Sequence, residues 1–159
     1  MRPATQPAAL RLQEFLGPRF QVVEFDESTK TAADAAAAIG CDVAQIAKSI
    51  IFRAVASGRA VLAIASGTNR VDERKLRAHL GEKIERADAD FVRERTGFAI
   101  GGVPPIAHAT PSIVFIDRGL RRYPNLWAAG GTPNAVFSIG FDELVVLSGA
   151  TVADIAKEA

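Results

Sequence analysis

The sequence predicts a mixed α/β domain, and three observations support this prediction. Segments with apolar residues at helical spacing alternate along the chain with short runs rich in β-branched residues. Apolar residues make up 48% of the 159 residues and charged residues 23%, which is typical of a globular protein with a buried core. No internal repeat, low-complexity tract or linker divides the chain, so we expect one domain over residues 1–159.

The predicted helices combine helical spacing of apolar residues with recognisable ends. The clearest example follows Thr31, a residue suited to the N-cap, and ends at Gly40. The predicted helices cover residues 8–16, 32–39, 72–80, 88–95, 141–147 and 152–156.

The predicted strands are short runs of β-branched and other apolar residues. Ser57-Gly58 lies between two of them and predicts a hairpin turn. The predicted strands cover residues 20–25, 49–54, 60–65, 112–116 and 135–139.

Composition argues against several classes of protein. No apolar run approaches the roughly 20 residues that a membrane helix needs, and the N-terminus lacks the apolar core of a secretory signal, so we expect a cytoplasmic protein without a membrane partner. Cys41 is the only cysteine, and its spacing from His79 and His108 does not suit zinc, so we expect no metal site. A net charge of +1 means that any contact with RNA must be a local patch.

Lys48 is the first candidate functional residue, because it lies in the apolar segment Ile46–Phe52. A strand beginning near Lys48 places its side chain on the same face as Ile50 and Phe52. One interpretation is a lysine at a strand entrance whose ammonium reaches water. The other is an ammonium at the floor of a pocket, where it holds an oxygen that becomes negatively charged.

The second candidate is the stiff segment Gly101-Gly102-Val103-Pro104-Pro105. Its two glycines allow a ligand to approach the backbone, while its two prolines restrict φ and remove amide donors. The segment is either a sharp connection between two elements or a rigid pocket wall. It is not a P-loop, because the Gly-Lys-Ser/Thr element is missing.

Two further loops have the same two interpretations, a plain turn or a pocket wall. One contains Gly130, Gly131 and Thr132 before a predicted strand, and the other begins at Ser66 after a predicted strand. We expect His108 to be a surface loop residue and Cys41 to be a small buried apolar residue. Basic residues that could contact phosphates, or simply form a solvated face, gather at Arg70, Arg74, Lys75 and Arg77 and at Arg118, Arg121 and Arg122.

The ordered segments AQIAKSIIF, VLAIASGTNRVDERKL, RTGFAIGGVPPIA, SIVFIDRGL and AAGGTPNAVFSI resemble the YbaK-like family. That family includes free-standing editing proteins and the editing domain inserted in bacterial prolyl-tRNA synthetases. The resemblance runs from about Thr31 to the C-terminus. It implies a curved, barrel-like mixed β-sheet flanked by helices and an aminoacyl-tRNA deacylase without metal or organic cofactor.

The resemblance also implies roles for individual residues. The family lysine matches Lys48, and the family's Gly-x-x-x-Pro loop matches Gly101 to Pro105. Where some members have an asparagine directly after the lysine and a histidine in the late loop, this chain has Ser49 and Thr132. We therefore expect Lys48, Gly101 and Gly102 to be catalytic. The expected substrate-binding residues are Ser49, Ser66, Val103, Pro104, Pro105, Gly130, Gly131 and Thr132.

The implied substrate is the acceptor end of a mischarged tRNA, most simply tRNA for proline carrying alanine, serine, threonine, cysteine or a similar small amino acid. Prolyl-tRNA synthetase is a further expected partner, and the protein is expected to be a monomer or a homodimer. Two alternatives stay open. One is a module that binds aminoacyl-tRNA or a synthetase without hydrolysis, and the other is a hydrolase of a different small aminoacyl ester or thioester.

Overall fold

A computed structural model describes residues 1–158 of the chain and consists of two β-sheets with five α-helices. The helices are α1 (Pro7–Leu16), α2 (Ala32–Ile39), α3 (Glu73–Leu80), α4 (Ala89–Thr96) and α5 (Phe141–Ser148). The strands are β1 (Arg2–Pro3), β2 (Val23–Glu24), β3 (Ala47–Ala54), β4 (Ala60–Ser66), β5 (Ile84–Arg86), β6 (Ile113–Asp117), β7 (Leu126–Ala129), β8 (Ala135–Ile139) and β9 (Thr151–Ala153).

The larger sheet is mixed and has the strand order β5-β3-β4-β6-β9. Strand β4 lies at its centre, antiparallel to β3 and parallel to β6, and all of its residues are buried. The smaller sheet is antiparallel and has the order β1-β2-β8-β7. The mixed α/β class is thus confirmed, but the strands are divided between two sheets, and no closed barrel forms over residues 1–158.

The main core lies between the two sheets, and a second cluster covers the other face of the larger sheet. Ile51 and Leu62 of the larger sheet pack in the main core with Phe137 of the smaller one. Phe52, which follows Ile51 in β3, instead packs beside Leu76 of α3. The alternation along β3 is the period of two that a strand requires.

Helix α2 begins and ends as the sequence predicts. The Oγ1 atom of Thr31 accepts a hydrogen bond of 3.0 Å from the backbone N–H of Asp34, which satisfies one free donor of the first turn. Gly40 ends the helix in the left-handed conformation at φ 85°. The hairpin between β3 and β4 also turns at the predicted Ser57-Gly58.

Two predicted elements were wrong in type or extent. Residues 152–156 do not form a helix, because Thr151–Ala153 is strand β9 and pairs in parallel with β6. Ala153 and Ile155 are both buried, and this burial at every second residue is the pattern of a strand. Within residues 20–25 only Val23–Glu24 is a strand, and the short strands β1, β5 and β7 were not predicted.

The N-terminal segment completes the core. Ala9 and Leu12 of α1 are fully buried in the main cluster. The buried carboxylate of Glu24 accepts hydrogen bonds from the backbone and hydroxyl of Thr5 and from the backbone N–H of Gln6. None of the helices in residues 1–158 combines the length and apolar character needed to cross a membrane.

Candidate functional site

A cavity of about 400 Å³ runs along one edge of β3. Strand β5 pairs only with residues 52–54 of β3, so the preceding part of that edge has no partner strand within its sheet. Six consecutive residues, 46–51, therefore line the cavity, although their side chains alternate between the two faces of the strand. The rest of the lining comes mainly from the residues that begin α2, the loop after α4, and strand β7, whose Trp127 forms a β-bridge with Ile46.

Lys48 lines this cavity and is half-buried. None of the ion pairs formed among residues 1–158 includes it. Burial lowers the pKa of Lys48, and the positive charges of Arg70 and Arg86 lower it further. The ammonium is thus incompletely solvated and is available to a negatively charged or strongly polarised oxygen.

Ser49 lines the cavity beside Lys48. Its Oγ atom is buried and has no hydrogen-bond partner, which is true of no other buried side-chain nitrogen or oxygen in residues 1–158. Leaving a buried hydroxyl unsatisfied costs about 1–3 kcal/mol, so such a group stands ready for a ligand to which it can turn.

Gly101 and Val103 form another part of the cavity wall. Gly101 has φ 98°, a conformation that favours glycine. A Cβ atom at this position would lie only 3.0 Å from Cγ of Lys30. The backbone conformation favours glycine here, while the flexible side chain of Lys30, which also lines the cavity, would need to shift by only a few tenths of an ångström to admit a Cβ atom.

Gly102, Pro104 and Pro105 are buried but are absent from the cavity lining. A Cβ atom on Gly102 would lie 2.7 Å from backbone atoms of Thr132, and the Gly102 carbonyl accepts a 2.9 Å hydrogen bond from the N–H of Gly131. These residues therefore hold the wall from behind.

The late loop also lies behind this wall. Gly130, Gly131 and Thr132 are buried and do not line the cavity. A Cβ on Gly131 would approach the carbonyl oxygen of Ala8 to 2.9 Å, so α1, the late loop and the Gly101–Pro105 segment form successive layers.

Ser66 lies outside the cavity lining as well. Its hydroxyl donates a 2.8 Å hydrogen bond to the carbonyl of Ala44 and lies 3.2 Å from Oγ1 of Thr68. This arrangement links the end of β4 to the turn before β3.

The model of the aminoacyl-tRNA editing domain matches residues 26–147, which is more than half of the chain. The chain belongs to this editing-domain family. Lys48, which matches the family lysine, belongs to the larger mixed sheet and lines the cavity.

Three relatives illustrate the range of the editing-domain family. The uncharacterized protein YwhH of Bacillus subtilis strain 168 is 33% identical over 138 residues, which cover 86% of this chain and 87% of that protein. A proline–tRNA ligase of Geobacter sp. strain M21 is 33% identical over 97 residues, which are 60% of this chain but 17% of the ligase. A crystal structure of a proposed trans-editing enzyme for prolyl tRNA synthetase is 45% identical, with a TM-score of 0.91, and the match covers 98% of this chain and 100% of that one.

The structure of the editing domain adds cavity residues that sequence reasoning missed. Lys30, Arg86, Ile100 and Trp127 all line the cavity. Lys30 directly precedes the predicted N-cap of α2. It could have been predicted as a site residue because functional sites often lie at the N-terminal ends of helices. Arg86 and Trp127 lie on the unpredicted strands β5 and β7, so no local signal marked them.

Other candidates have structural partners. Lys75 donates hydrogen bonds to Asp154 at 3.1 Å and to the carbonyl of Ala156 at 2.9 Å, so its ammonium joins α3 to the segment after β9. Cys41 is partly buried against the apolar cluster around α2. The expectation for His108 was wrong, because His108 is not a simple surface residue: it is partly buried and both of its ring nitrogens are hydrogen-bonded.

Proposed function

We propose that this protein is a trans-editing hydrolase that removes a wrongly attached small amino acid from tRNA, with tRNA for proline carrying alanine, serine, threonine, cysteine or a similar residue as its substrate. The observation that carries the proposal is that one cavity is lined by Lys48 and Ser49 of β3 and also by Gly101 and Val103 of the glycine-proline segment. A volume of about 400 Å³ is at the small end of the roughly 300–1,000 Å³ of ligand pockets. Such a space suits the esterified end of an RNA, not its double-stranded stem.

The walls suit discrimination by size. Much of the lining is apolar and comes from Ala47, Ile51, Val92, Val103, Ala128 and Val136, and the bulky Trp127 limits the space. A pocket of this kind discriminates by size, and one methylene is worth about 1–3 kcal/mol. Ser49 adds one hydroxyl that can bond the amine or a polar side chain of the bound amino acid.

Charge favours the nucleic acid. Lys30, Lys48 and Arg86 line the cavity, and no aspartate or glutamate of residues 1–158 is among the lining residues. Phosphates of the terminal nucleotides would be attracted to this local patch even though the whole chain has a net charge of only +1. We expect the activity to fall as salt rises.

The proposed reaction is hydrolysis of the ester between the amino acid and the terminal ribose. Water adds to the carbonyl carbon, the bond from that carbon to the ribose oxygen breaks, and a proton passes to the leaving oxygen. No histidine, cysteine or carboxylate of the described residues lines the cavity, so the neighbouring ribose hydroxyl relays the proton. Lys48 holds the developing charge on the carbonyl oxygen, and the wall at Gly101, supported from behind by Gly102, keeps the ester in place.

The test is a panel of tRNA for proline charged with alanine, serine, threonine, cysteine or proline, with ester loss followed over time. We expect Lys48→Ala to slow hydrolysis by about 100-fold or more, as removal of an oxyanion-binding donor does. Lys83→Ala is the matched control, because Lys83 is exposed and does not line the cavity. Ser49→Ala should change the order of preference among the amino acids.

The same absence of a histidine, cysteine or carboxylate among the described residues of the cavity lining also suits a module that binds aminoacyl-tRNA without hydrolysing it. Tight binding of every charged tRNA with no ester loss above the uncatalysed rate would support that module and refute the hydrolase. Turnover that is indifferent to the acceptor stem and to salt would instead favour a hydrolase of other small aminoacyl esters or thioesters.

A further inference from the structure

His108 lies in the loop between α4 and β6 and bonds in two directions. Its Nε2 atom is 2.7 Å from the carbonyl oxygen of Pro104, and its Nδ1 atom is 2.8 Å from Oγ of Ser112. Pro104 belongs to the cavity-wall segment, and Ser112 directly precedes β6, which pairs with the central strand β4. The imidazole thus connects the wall of the cavity to the centre of the larger sheet.

The partners define the protonation state of this ring. Burial lowers the pKa of His108 more than the hydrogen bond to Pro104 raises it, so the ring is neutral at pH 7. A carbonyl oxygen only accepts, so Nε2 carries the hydrogen and donates it to Pro104. Nδ1 is then the acceptor, and the Ser112 hydroxyl donates to it.

The backbone around His108 is shaped to make these bonds. Ala107 has φ 64°, and no other non-glycine residue among residues 1–158 has a positive φ. A left-handed alanine costs roughly 1–2 kcal/mol and persists only where surrounding contacts impose it. The turn at Ala107 brings the imidazole back under Pro104.

The prolines leave the wall segment with few backbone hydrogen bonds, although its residues 102–106 are buried. Pro104 and Pro105 have no N–H group, so the backbone there can be held only through its carbonyls. The carbonyl of Gly102 is held by Gly131, and that of Pro104 is held by His108. Between these two points lies Val103, whose side chain forms part of the cavity wall.

We propose that His108 is a positioning residue for the deacylation reaction: through the Pro104 carbonyl it keeps the Gly101–Val103 wall at the distance from β3 that the aminoacyl ester requires. This inference rests on the proposed function. His108 touches no substrate, so its role is expressed in the rate of the chemical step and in the discrimination between amino acids of different size.

A pair of amide variants tests the proposal. In His108→Gln the amide nitrogen can still reach the Pro104 carbonyl, whereas in His108→Asn the shorter side chain places its amide near the position of Nδ1 and loses that contact. Both variants bury an amide, so they are matched in polarity. His108→Phe preserves the ring and removes both bonds, and His79→Phe serves as the control at an exposed histidine.

The variants are assayed for kcat and KM on the best substrate of the charged-tRNA panel and for their melting temperature. We expect His108→Asn and His108→Phe to lose about 10- to 100-fold in kcat with a smaller change in KM, since a displacement of about 1 Å costs up to about 100-fold. His108→Gln should recover most of that loss, and the ratio of rates for alanine against the larger threonine should change in the Asn and Phe variants only.

Equal kcat in the Gln and Asn variants, or a lowered melting temperature with unchanged kcat and unchanged discrimination, would overturn the positioning role while leaving the proposed function standing. No ester loss with the wild-type protein on any charged tRNA would overturn the proposed function itself, and the positioning role with it.

Discussion

Replacement of Gly102 by alanine tests the layered construction of the cavity wall most directly. The Gly102 backbone does not lie in the left-handed region, so an added methyl group introduces no torsional strain. The methyl group would instead meet the N, Cα and C atoms of Thr132 at 2.7 Å. These are backbone atoms of a buried loop and cannot turn aside as the end of a side chain can.

The size of the effect follows from this distance. Carbon atoms pack comfortably at about 3.5–4.0 Å, so the wall and the late loop must separate by roughly 1 Å. Overpacking of this kind costs about 1–3 kcal/mol, and weakening the bond from Gly131 to the Gly102 carbonyl adds about 1 kcal/mol. A shift of about 1 Å in a substrate-positioning wall lowers the rate by up to about 100-fold.

Urea unfolding and deacylation of charged tRNA are measured on the same Gly102→Ala sample. Gly140→Ala is the control, because Gly140 has φ −73° and its added methyl group would meet the flexible end of Glu143 at 3.2 Å and the carbonyl oxygen of Pro124 at an ordinary contact distance of 3.7 Å. We expect the control to resemble the wild type in both assays. A Gly102→Ala protein with wild-type stability and rate would refute the account of the wall, and a loss of stability alone would refute its role in catalysis.

Three further predictions address charge and packing. The first concerns Lys48, whose ammonium loses its charge as the pH rises. Because its pKa is lowered, the rate of deacylation, corrected for the uncatalysed reaction, should begin to fall at a lower pH than it would with an ordinary lysine. A pH–rate profile of Lys48→Arg should show the same fall at a higher pH. The second concerns Glu24: burial acts to raise its pKa, but its hydrogen bonds outweigh this effect and the pKa is lowered. The carboxylate therefore stabilises the folded protein at neutral pH, and this stabilisation is lost as the pH falls through the lowered pKa. In urea unfolding, the difference in stability between the wild type and Glu24→Gln should become smaller in acid. The third concerns Leu62, which is fully buried in β4: Leu62→Ala should lower the free energy of unfolding by about 2–5 kcal/mol without changing kcat of the folded protein. A fall in kcat as large as that of Gly102→Ala would contradict this separation of core and site.

The parts of the fold that could be predicted are those with local causes. The cap at Thr31, the stop at Gly40 and the turn at Ser57-Gly58 each follow from the chemistry of one or two residues. The strand at residues 151–153 could not be recognised in the same way, because it depends on pairing with β6, far away in the sequence. The short strands β5 and β7 have the same cause and carry two of the missed cavity residues, Arg86 and Trp127.

The candidate site shows the same division. The apolar surroundings of Lys48 and the glycine-proline composition of the loop drew attention to two segments that line the same cavity, and their functional roles stay predictions. Composition could not tell which glycine lines the cavity and which supports it, because that difference depends on contacts with Lys30 and Thr132, which are far away in the sequence. The sequence likewise contained no sign that His108 would bond to Pro104, because the left-handed turn at Ala107 that brings them together occurs at a residue other than glycine.

The layers behind the wall explain why so many small residues gather around a site that few of them touch. A wall that discriminates between amino acids by size must not shift by a distance comparable to the size of a methyl group. Flexible side chains packed behind the wall would allow such a shift. Glycine allows backbone to pack on backbone, as Gly102 does on Thr132 and Gly131 on Ala8, so the wall rests on groups that have no rotamers to change. We therefore expect the specificity of the proposed editing site to depend on residues outside the cavity, so that substitutions in the late loop alter the preferred amino acid without any contact with the substrate.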